Sequence, residues 1–483
     1  MSELRLRFPP SPTGKIHVGN IRTALFNWLW AEAENGELVL RIEDTDTERS
    51  TQEFEDIIIQ ELDWLGIEVD EGPNKGGEFG PYRQSERLEI YQEYIEELLA
   101  EDKAYRCYCT EEEIQEMREA QKARGEIPHY DGRCRNKNFD SHEQDADYAV
   151  RFKMPEEERE IVIDDLVRGK VSFSSDEFDD FVIQKSNGYP TYNFAVVVDD
   201  ALMEVTEVIR GEDHLSNTPK QIMLYEAMGF SLPRFGHLPL ILSADGGKLK
   251  KRSDSEAVYV GEFRKKGYLP EALTNFLALL GWSPSSEQEI LSREELIEKF
   301  DIQNVNKSGA VFDREKLNWM NSHYIKNADL DRILELSKPF FEEAGYIDEE
   351  TEEEWLKKVI DIARDGVDYL AQLPAESSLF FEDLEYESQQ DAEEMFADKE
   401  VQKVLKCLTN KFKKENELNS SRVNEIFSQV QDETGVGGRK FYHPLRYALT
   451  GKESGPNLAD FVSLLGRKEV ISRLKKALNL LQE

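Results

Sequence analysis

The stretch from Leu4 to Ile42 leaves this chain few folds to choose from. Leu4-Arg5-Leu6-Arg7-Phe8 alternates apolar and charged residues as a strand does, and the proline-rich segment Pro9 to Gly14 ends it. Ile21, Leu25, Trp28 and Leu29 then recur at helical spacing. Gly36 stops that helix, and Leu38-Val39-Leu40-Arg41-Ile42 reads as a second strand. Strand, helix and strand in that order make a βαβ unit, which requires a parallel sheet. A helix over about Glu53 to Leu65 follows, then a loop through Gly72-Pro73, Gly76-Gly77 and Gly80-Pro81, then a helix marked by Leu88, Tyr91, Ile95 and Leu98.

From Cys107 the texture changes. Residues 107–140 carry Cys107, Cys109 and Cys134 with little apolar periodicity. Ala149–Lys153, Val171–Phe173, Phe181–Gln184 and Phe194–Val198 read as strands. This is an expected α+β insertion over 107–200, dividing a parallel-sheet domain into 1–106 and 201–325. After about Tyr324 the pattern is helical to the end, so 326–483 is expected to be an all-helical region. Three domains suit 483 residues.

Several classes drop out. No apolar run approaches the roughly 18 residues of a membrane helix. Met1 to Phe8 has no apolar signal core, so no secretory signal is expected. The four cysteines, with Cys407 the last, do not make a disulfide scaffold and point to a reducing cytoplasm. The formal charge of -38 would repel a random polyanion, so any nucleic-acid partner must meet local basic patches. A solvated acidic surface and adaptation to a salty cytoplasm both account for that charge.

Two segments carry chemistry. Pro10-Ser-Pro-Thr-Gly-Lys-Ile-His17-Val-Gly19-Asn20 joins the first strand to the first helix, where parallel sheets bind anionic ligands. His17 can offer a ring N–H to a phosphate, and Gly19 leaves room for a base or sugar. The plainer reading is a proline-rich turn with a polar cap. Asp245-Gly-Gly-Lys248-Leu-Lys250-Lys251-Arg252-Ser253 is a flexible cationic loop that suits a polyphosphate, although a solvated basic loop would look similar. Neither the dinucleotide glycine fingerprint nor a Walker loop occurs, which argues against a nicotinamide dehydrogenase and a P-loop enzyme.

His17-Val-Gly-Asn20 resembles the "HIGH" signature, and Lys248 to Arg252 the "KMSKS" signature, of bacterial glutamyl-tRNA synthetases, which are class I aminoacyl-tRNA ligases. Arg41-Ile-Glu-Asp-Thr-Asp46, Gly80-Pro-Tyr-Arg-Gln-Ser-Glu-Arg-Leu88, Gly188-Tyr-Pro-Thr-Tyr192, Val197-Val-Asp-Asp200, Val208-Ile-Arg-Gly-Glu-Asp-His214 and Val311-Phe-Asp-Arg-Glu-Lys-Leu317 match in order. The match is dense over 5–325 and looser beyond, where Pro444-Leu-Arg-Tyr-Ala-Leu-Thr-Gly451 is its best segment.

The resemblance implies a Rossmann-type catalytic domain, an inserted domain for the acceptor end of tRNA and a helical anticodon-binding region. It implies glutamate activation by ATP with Mg²⁺, then transfer to tRNA-Glu and, in relaxed members, tRNA-Gln. A cytoplasmic monomer is expected. By matching positions, Arg7 contacts a substrate carboxylate and Arg210 reads the side-chain carboxylate, for which guanidinium forks are suited. Ser11 and Tyr192 match hydroxyl donors, Glu43 the acidic partner of the ammonium, and His214 lines the pocket. Asp44 and Asp46 read as structural, and an internal pair with Glu212 or Asp213 is the alternative for Arg210. His17, Gly19, Asn20 and Lys251 match ATP contacts, with His17, Gly19, Lys248 and Lys251 the signature residues of catalysis. Lys250 stands where the family usually has serine.

Cys107-Tyr-Cys109 and Cys134 resemble the zinc element of some members, yet the usual fourth ligand, a histidine, is Asn136 here. Tyr130 matches the tyrosine that completes the site in a shorter, base-modifying relative; His129 and His142 are other candidates, and buried free thiols the alternative. Lys411-Phe-Lys-Lys414 and Arg467-Lys468 are basic patches in the helical region, and the arginine that rejects the tRNA-Gln anticodon falls near Arg364 to Gly366. A glutaminyl-tRNA synthetase would have β-barrel anticodon domains, the base-modifying relative lacks a C-terminal region, and a non-catalytic paralogue would have lost signature residues.

Overall fold

The structure is a computed structural model that describes residues 4–137, 147–247, 249 and 258–480. Lys248, Lys250, Lys251 and His142 lie outside the described residues. The chain divides into two compact units, one of Met1–Lys265 with Pro270–Leu317, the other of Lys266–Leu269 with Asn318–Glu483.

In the first unit, β1 (Arg5–Phe8) and β2 (Glu37–Leu40) pair in parallel, from Arg5 opposite Glu37 to Phe8 opposite Leu40. Helix α1 (Val18–Glu34) makes the crossover. It is buried on most faces, as a helix packed between a sheet and further helices must be. Asn35 ends it in the left-handed conformation, and a Cβ on Gly36 would lie 2.4 Å from the Leu4 carbonyl oxygen. Only glycine lets the chain turn back there. Helices α2 (Gln52–Leu65) and α3 (Leu88–Ala100) follow as the apolar spacing predicts.

The cysteine-bearing segment begins at β3 (Ala104–Cys107), followed by α4 (Glu111–Ala123), which starts at a capping box between Thr110 and Glu113. β3 pairs antiparallel with β4 (Ala149–Phe152), and β4 with β7 (Val182–Gln184). Between them β5 (Glu160–Asp165) and β6 (Gly169–Ser174) form a hairpin. Phe194–Val198 is not a strand: it lies in helix α5 (Tyr192–Leu202). Its apolar run is buried all round, and periodicity cannot separate a buried strand from a buried helix. Parallel pairing resumes with β8 (Glu207–Gly211), followed by α6 (Thr218–Ala227) and β9 (Arg234–Leu238). β8 starts beside β1, where the Thr206 amide donates to the Arg5 carbonyl at 2.9 Å.

The end of α5 anchors this unit. Asp199 accepts from Arg87 Nε at 2.7 Å, Gln84 Nε2 at 2.9 Å and Tyr91 OH at 2.9 Å. Asp200 accepts from Arg41 Nη1 at 2.6 Å and Arg7 Nε at 3.3 Å. All of these groups are buried, so the charges must compensate one another locally. The second unit is helical among its described residues, around a core that includes Leu405, Phe412, Phe427, Phe441 and Leu445.

Asp199→Ala strands the Arg87 guanidinium in the core. It is expected to cost about 3–5 kcal/mol of stability, read from urea unfolding.

Candidate active site

A cavity of about 570 Å³ opens at the carboxyl ends of β1, β2 and β8. Its lining includes Arg7, Ser11, His17, Gly19, Asn20, Glu43, Tyr192, Arg210 and His214. Each strand delivers one charged group: Arg7 from β1, Glu43 just beyond β2 and Arg210 from β8.

The two arginines are held differently. Arg7 spends Nε on Asp200 and approaches the Ile209 carbonyl with Nη1 at 3.4 Å, while its buried Nη2 has no hydrogen-bond partner. A buried guanidinium nitrogen left open in a cavity wall is a donor waiting for an anion. Arg210 does not pair with Glu212 or Asp213. Its Nη2 donates to Thr218 Oγ1 at 3.0 Å and Gln221 Oε1 at 2.7 Å, its Nε to His237 Nε2 at 3.2 Å, and its Nη1 approaches Tyr192 OH at 3.4 Å. Every one of those partners is neutral, so its charge is left for a ligand. Burial, more than any neighbour, weakens its hold on the proton.

Glu43 accepts from Arg41 Nη2 at 3.2 Å, yet burial pushes its carboxyl up to about 7. Asp44 accepts from the Ser85 amide at 2.8 Å, tying two loops together, and Asp46 pairs locally with Arg49. His214 lies 3.1 Å from Tyr192 OH; burial and then the Arg210 charge push it down to about 4, so it is neutral at pH 7.

His17 caps α1: its Nδ1 accepts from the Gly19 amide at 3.1 Å. The neutral ring therefore carries its proton on Nε2, as a donor. The Val18 amide is already taken by the Val258 carbonyl at 2.9 Å. The helix start thus offers an anion the ring and the dipole rather than a row of free amides.

Away from this cavity, the sulfurs of Cys107, Cys109 and Cys134 lie within 4.8 Å of one another. Cys109 and Cys134 are 3.5 Å apart, close to the roughly 3.8 Å that tetrahedral zinc with about 2.3 Å bonds imposes. Tyr130 OH sits 3.3 Å from Cys107 Sγ and 3.9 Å from Cys109 Sγ, against the same cluster. His129 is exposed and its Nδ1 lies 3.1 Å from the Ile127 carbonyl; Asn136 is exposed.

The model of the class I tRNA synthetase catalytic domain specific for E and Q matches residues 3–319, and that of an anticodon-binding domain matches 332–478. The glutamate–tRNA ligase of Natranaerobius thermophilus is 48% identical over all of this chain and 99% of its own. That of Bacillus subtilis is 44% identical over 98% and 99%. The chain belongs to the class I glutamyl-tRNA synthetase family. A crystal structure of the Elizabethkingia meningosepticum glutamate tRNA ligase, in complex with its amino acid, superposes with a TM-score of 0.91 at 36% identity, covering 99% of each chain. That of the Elizabethkingia anophelis synthetase gives 0.90 at 35%, covering 99% and 100%.

In this synthetase-family chain, the cavity gathers the expected glutamate- and ATP-site residues that the structure describes, while the cysteine cluster with Tyr130 lies apart from it. Sequence reasoning missed the shell behind the arginines: Asp200 at Arg7, and Thr218, Gln221 and His237 at Arg210. Val197-Val-Asp-Asp200 was a matching segment without a role; the other three carry no local signal.

With Glu43 titrating near 7, its anionic form is lost as pH falls through that value. Affinity for a ligand ammonium is expected to drop from about pH 8 to about pH 6, and Glu43→Gln to be weak and flat over that range, by calorimetric titration of L-glutamate.

Proposed function

We propose that this chain activates L-glutamate with ATP and transfers it to the 3′-terminal ribose of tRNA-Glu. The observation that carries this is the charge pattern of one cavity. Two of the guanidiniums lining it, Arg7 with an open Nη2 and Arg210 without a carboxylate partner, flank the buried Glu43 carboxylate, while the third, Arg22, donates to the Leu280 and Pro239 carbonyls. That pattern is the complement of an amino acid with two carboxylates and one ammonium.

In this reading Arg7 takes a substrate carboxylate, Arg210 with Tyr192 the side-chain carboxylate, and Glu43 the ammonium. Ser11 adds a hydroxyl and His214 a neutral wall. A glutamate carboxylate oxygen attacks the α-phosphorus of ATP and pyrophosphate leaves. The ribose hydroxyl then attacks the adenylate carbonyl and AMP leaves. Both steps need positioning and charge stabilisation rather than a protein nucleophile. His17 Nε2–H, with Gly19 and Asn20 beside it, would meet the ATP phosphates, and Lys248 and Lys251 the departing pyrophosphate. Mg²⁺ accompanies ATP, held chiefly by its phosphates.

The inserted segment would meet the acceptor end and the helical region the anticodon. There Arg364 bonds Asp361 and the Ala328 carbonyl, Lys411 pairs with Glu433, and Arg467 donates to the Glu415 carbonyl. No helix among the described residues is long and apolar enough to cross a membrane; a cytoplasmic monomer fits the reading. Cys107, Cys109, Cys134 and Tyr130 would hold a structural Zn²⁺ that ties the segment between β3 and β4.

Labelled glutamate should attach to purified tRNA-Glu with ATP and Mg²⁺. Attachment to tRNA-Gln as well would make the enzyme relaxed, and attachment to neither overturns the proposal. One zinc per chain is expected by elemental analysis of the purified protein. It should be lost in Cys134→Ser, with a lower melting temperature; a zinc-free protein that melts and charges unchanged refutes the metal site.

A further inference from the structure

Arg210 is oriented from behind by groups that no matching motif marks. Its Nε donates to His237 Nε2 at 3.2 Å, and Thr218 Oγ1, which receives Arg210 Nη2, lies 3.1 Å from the same nitrogen. His237 Nε2 therefore has to be an acceptor. Its other nitrogen, Nδ1, meets Asp165 Oδ2 at 2.5 Å. A carboxylate there keeps the ring proton on Nδ1 and the lone pair on Nε2. Burial opposes ionisation of Asp165, but hydrogen bonds from His237 and the neighbouring amides outweigh it and hold the carboxyl below the ordinary range. His237 is pushed down by burial, against the pull of Asp165, and so is neutral.

Asp165 is fixed just as firmly. Its Oδ1 accepts the amides of Val167 at 3.0 Å, Arg168 at 2.8 Å and His237 at 3.2 Å. The Leu166 amide donates to the Phe235 carbonyl at 2.8 Å, so the tip of the β5–β6 hairpin sits on β9. Gly236 permits that contact: a Cβ there would lie 2.6 Å from Ile209 Cδ1 and 3.5 Å from Leu166 Cβ. The inserted hairpin thus reaches the rear of the amino-acid cavity.

We infer that Asp165 and His237 are positioning residues, which set the His237 tautomer and thereby aim the Arg210 guanidinium at the side-chain carboxylate of the substrate. This rests on the reading of Arg210 given above. The arrangement leaves Arg210 anchored at Nε by a neutral acceptor, which fixes its plane without cancelling its charge. A carboxylate in place of His237 would fix the plane equally well and would compete with glutamate.

The test inverts the tautomer. In Asp165→Asn, the three backbone amides retain the side-chain carbonyl, so the new NH₂ faces His237 Nδ1. The ring proton moves to Nε2, where it opposes the Arg210 Nε–H. Calorimetric titration should show L-glutamate bound about tenfold more weakly, the loss of one hydrogen bond to a charged group, with the KM for ATP unchanged within about twofold. In the His237→Gln background, where an amide oxygen can accept at the Nε2 position without a tautomer, the same substitution should change glutamate affinity by less than about twofold. Equal losses in both backgrounds, or none in either, overturn the inference. Nitrogen NMR of the unsubstituted protein is a second reading that needs no variant: an Nε2–H tautomer at His237 overturns it too. Charging of tRNA-Glu is measured on the unsubstituted chain in parallel. Glutamate binding without charging would sink the proposed function and leave the titrations to judge the relay.

Discussion

Two aspartates at the end of one buried helix hold the catalytic unit in register. Asp199 and Asp200 draw in Arg87 from the start of α3, Arg41 from the end of β2 and Arg7 from β1. An isolated charge in that interior would cost several kcal/mol, so the acids and bases can be buried only together. This couples the helix order to the strand order, and it fixes the plane of Arg7 before any ligand arrives. The same pairs that build the core thereby aim one of the cavity's cations.

The cavity is a selective electrostatic surface because its groups are compensated unevenly. Arg7 is partly neutralised by Asp200, whereas Arg210 is surrounded by hydroxyl, amide and imidazole partners alone. Glu43, buried beside Arg41, sits near the balance between its two protonation states. Charges prepared in a dry site act more strongly than they would in water, and they need no reorganisation when a ligand binds. The inserted hairpin touches this shell through Asp165, which bonds the His237 ring behind Arg210.

The first βαβ unit was legible because its apolar spacing switches period at Pro9–Gly14 and Gly36, two local signals. Phe194–Val198 was not, since a helix buried all round shows no polar face. Helix α4 was overlooked although Thr110 and Glu113 spell a capping box, because its apolar face is narrow. Tyr130 against His129 was open from spacing alone; the fold turns the histidine outward and the tyrosine toward the sulfurs.

By itself the sequence determined the α/β class and the helical C-terminal part, because these depend on periodicity among residues near in the chain, while the cavity residues were legible through short segments that resemble the family's. Tertiary structure alone decided that Arg210 has no carboxylate partner and that Tyr130 OH, rather than His129, faces the cysteine sulfurs. It also brought Asp165 and His237, 72 residues apart, to the back of Arg210. Such choices depend on distances between strands and helices remote in sequence, and on the dielectric of the interior that packing creates; neither exists until the chain has folded.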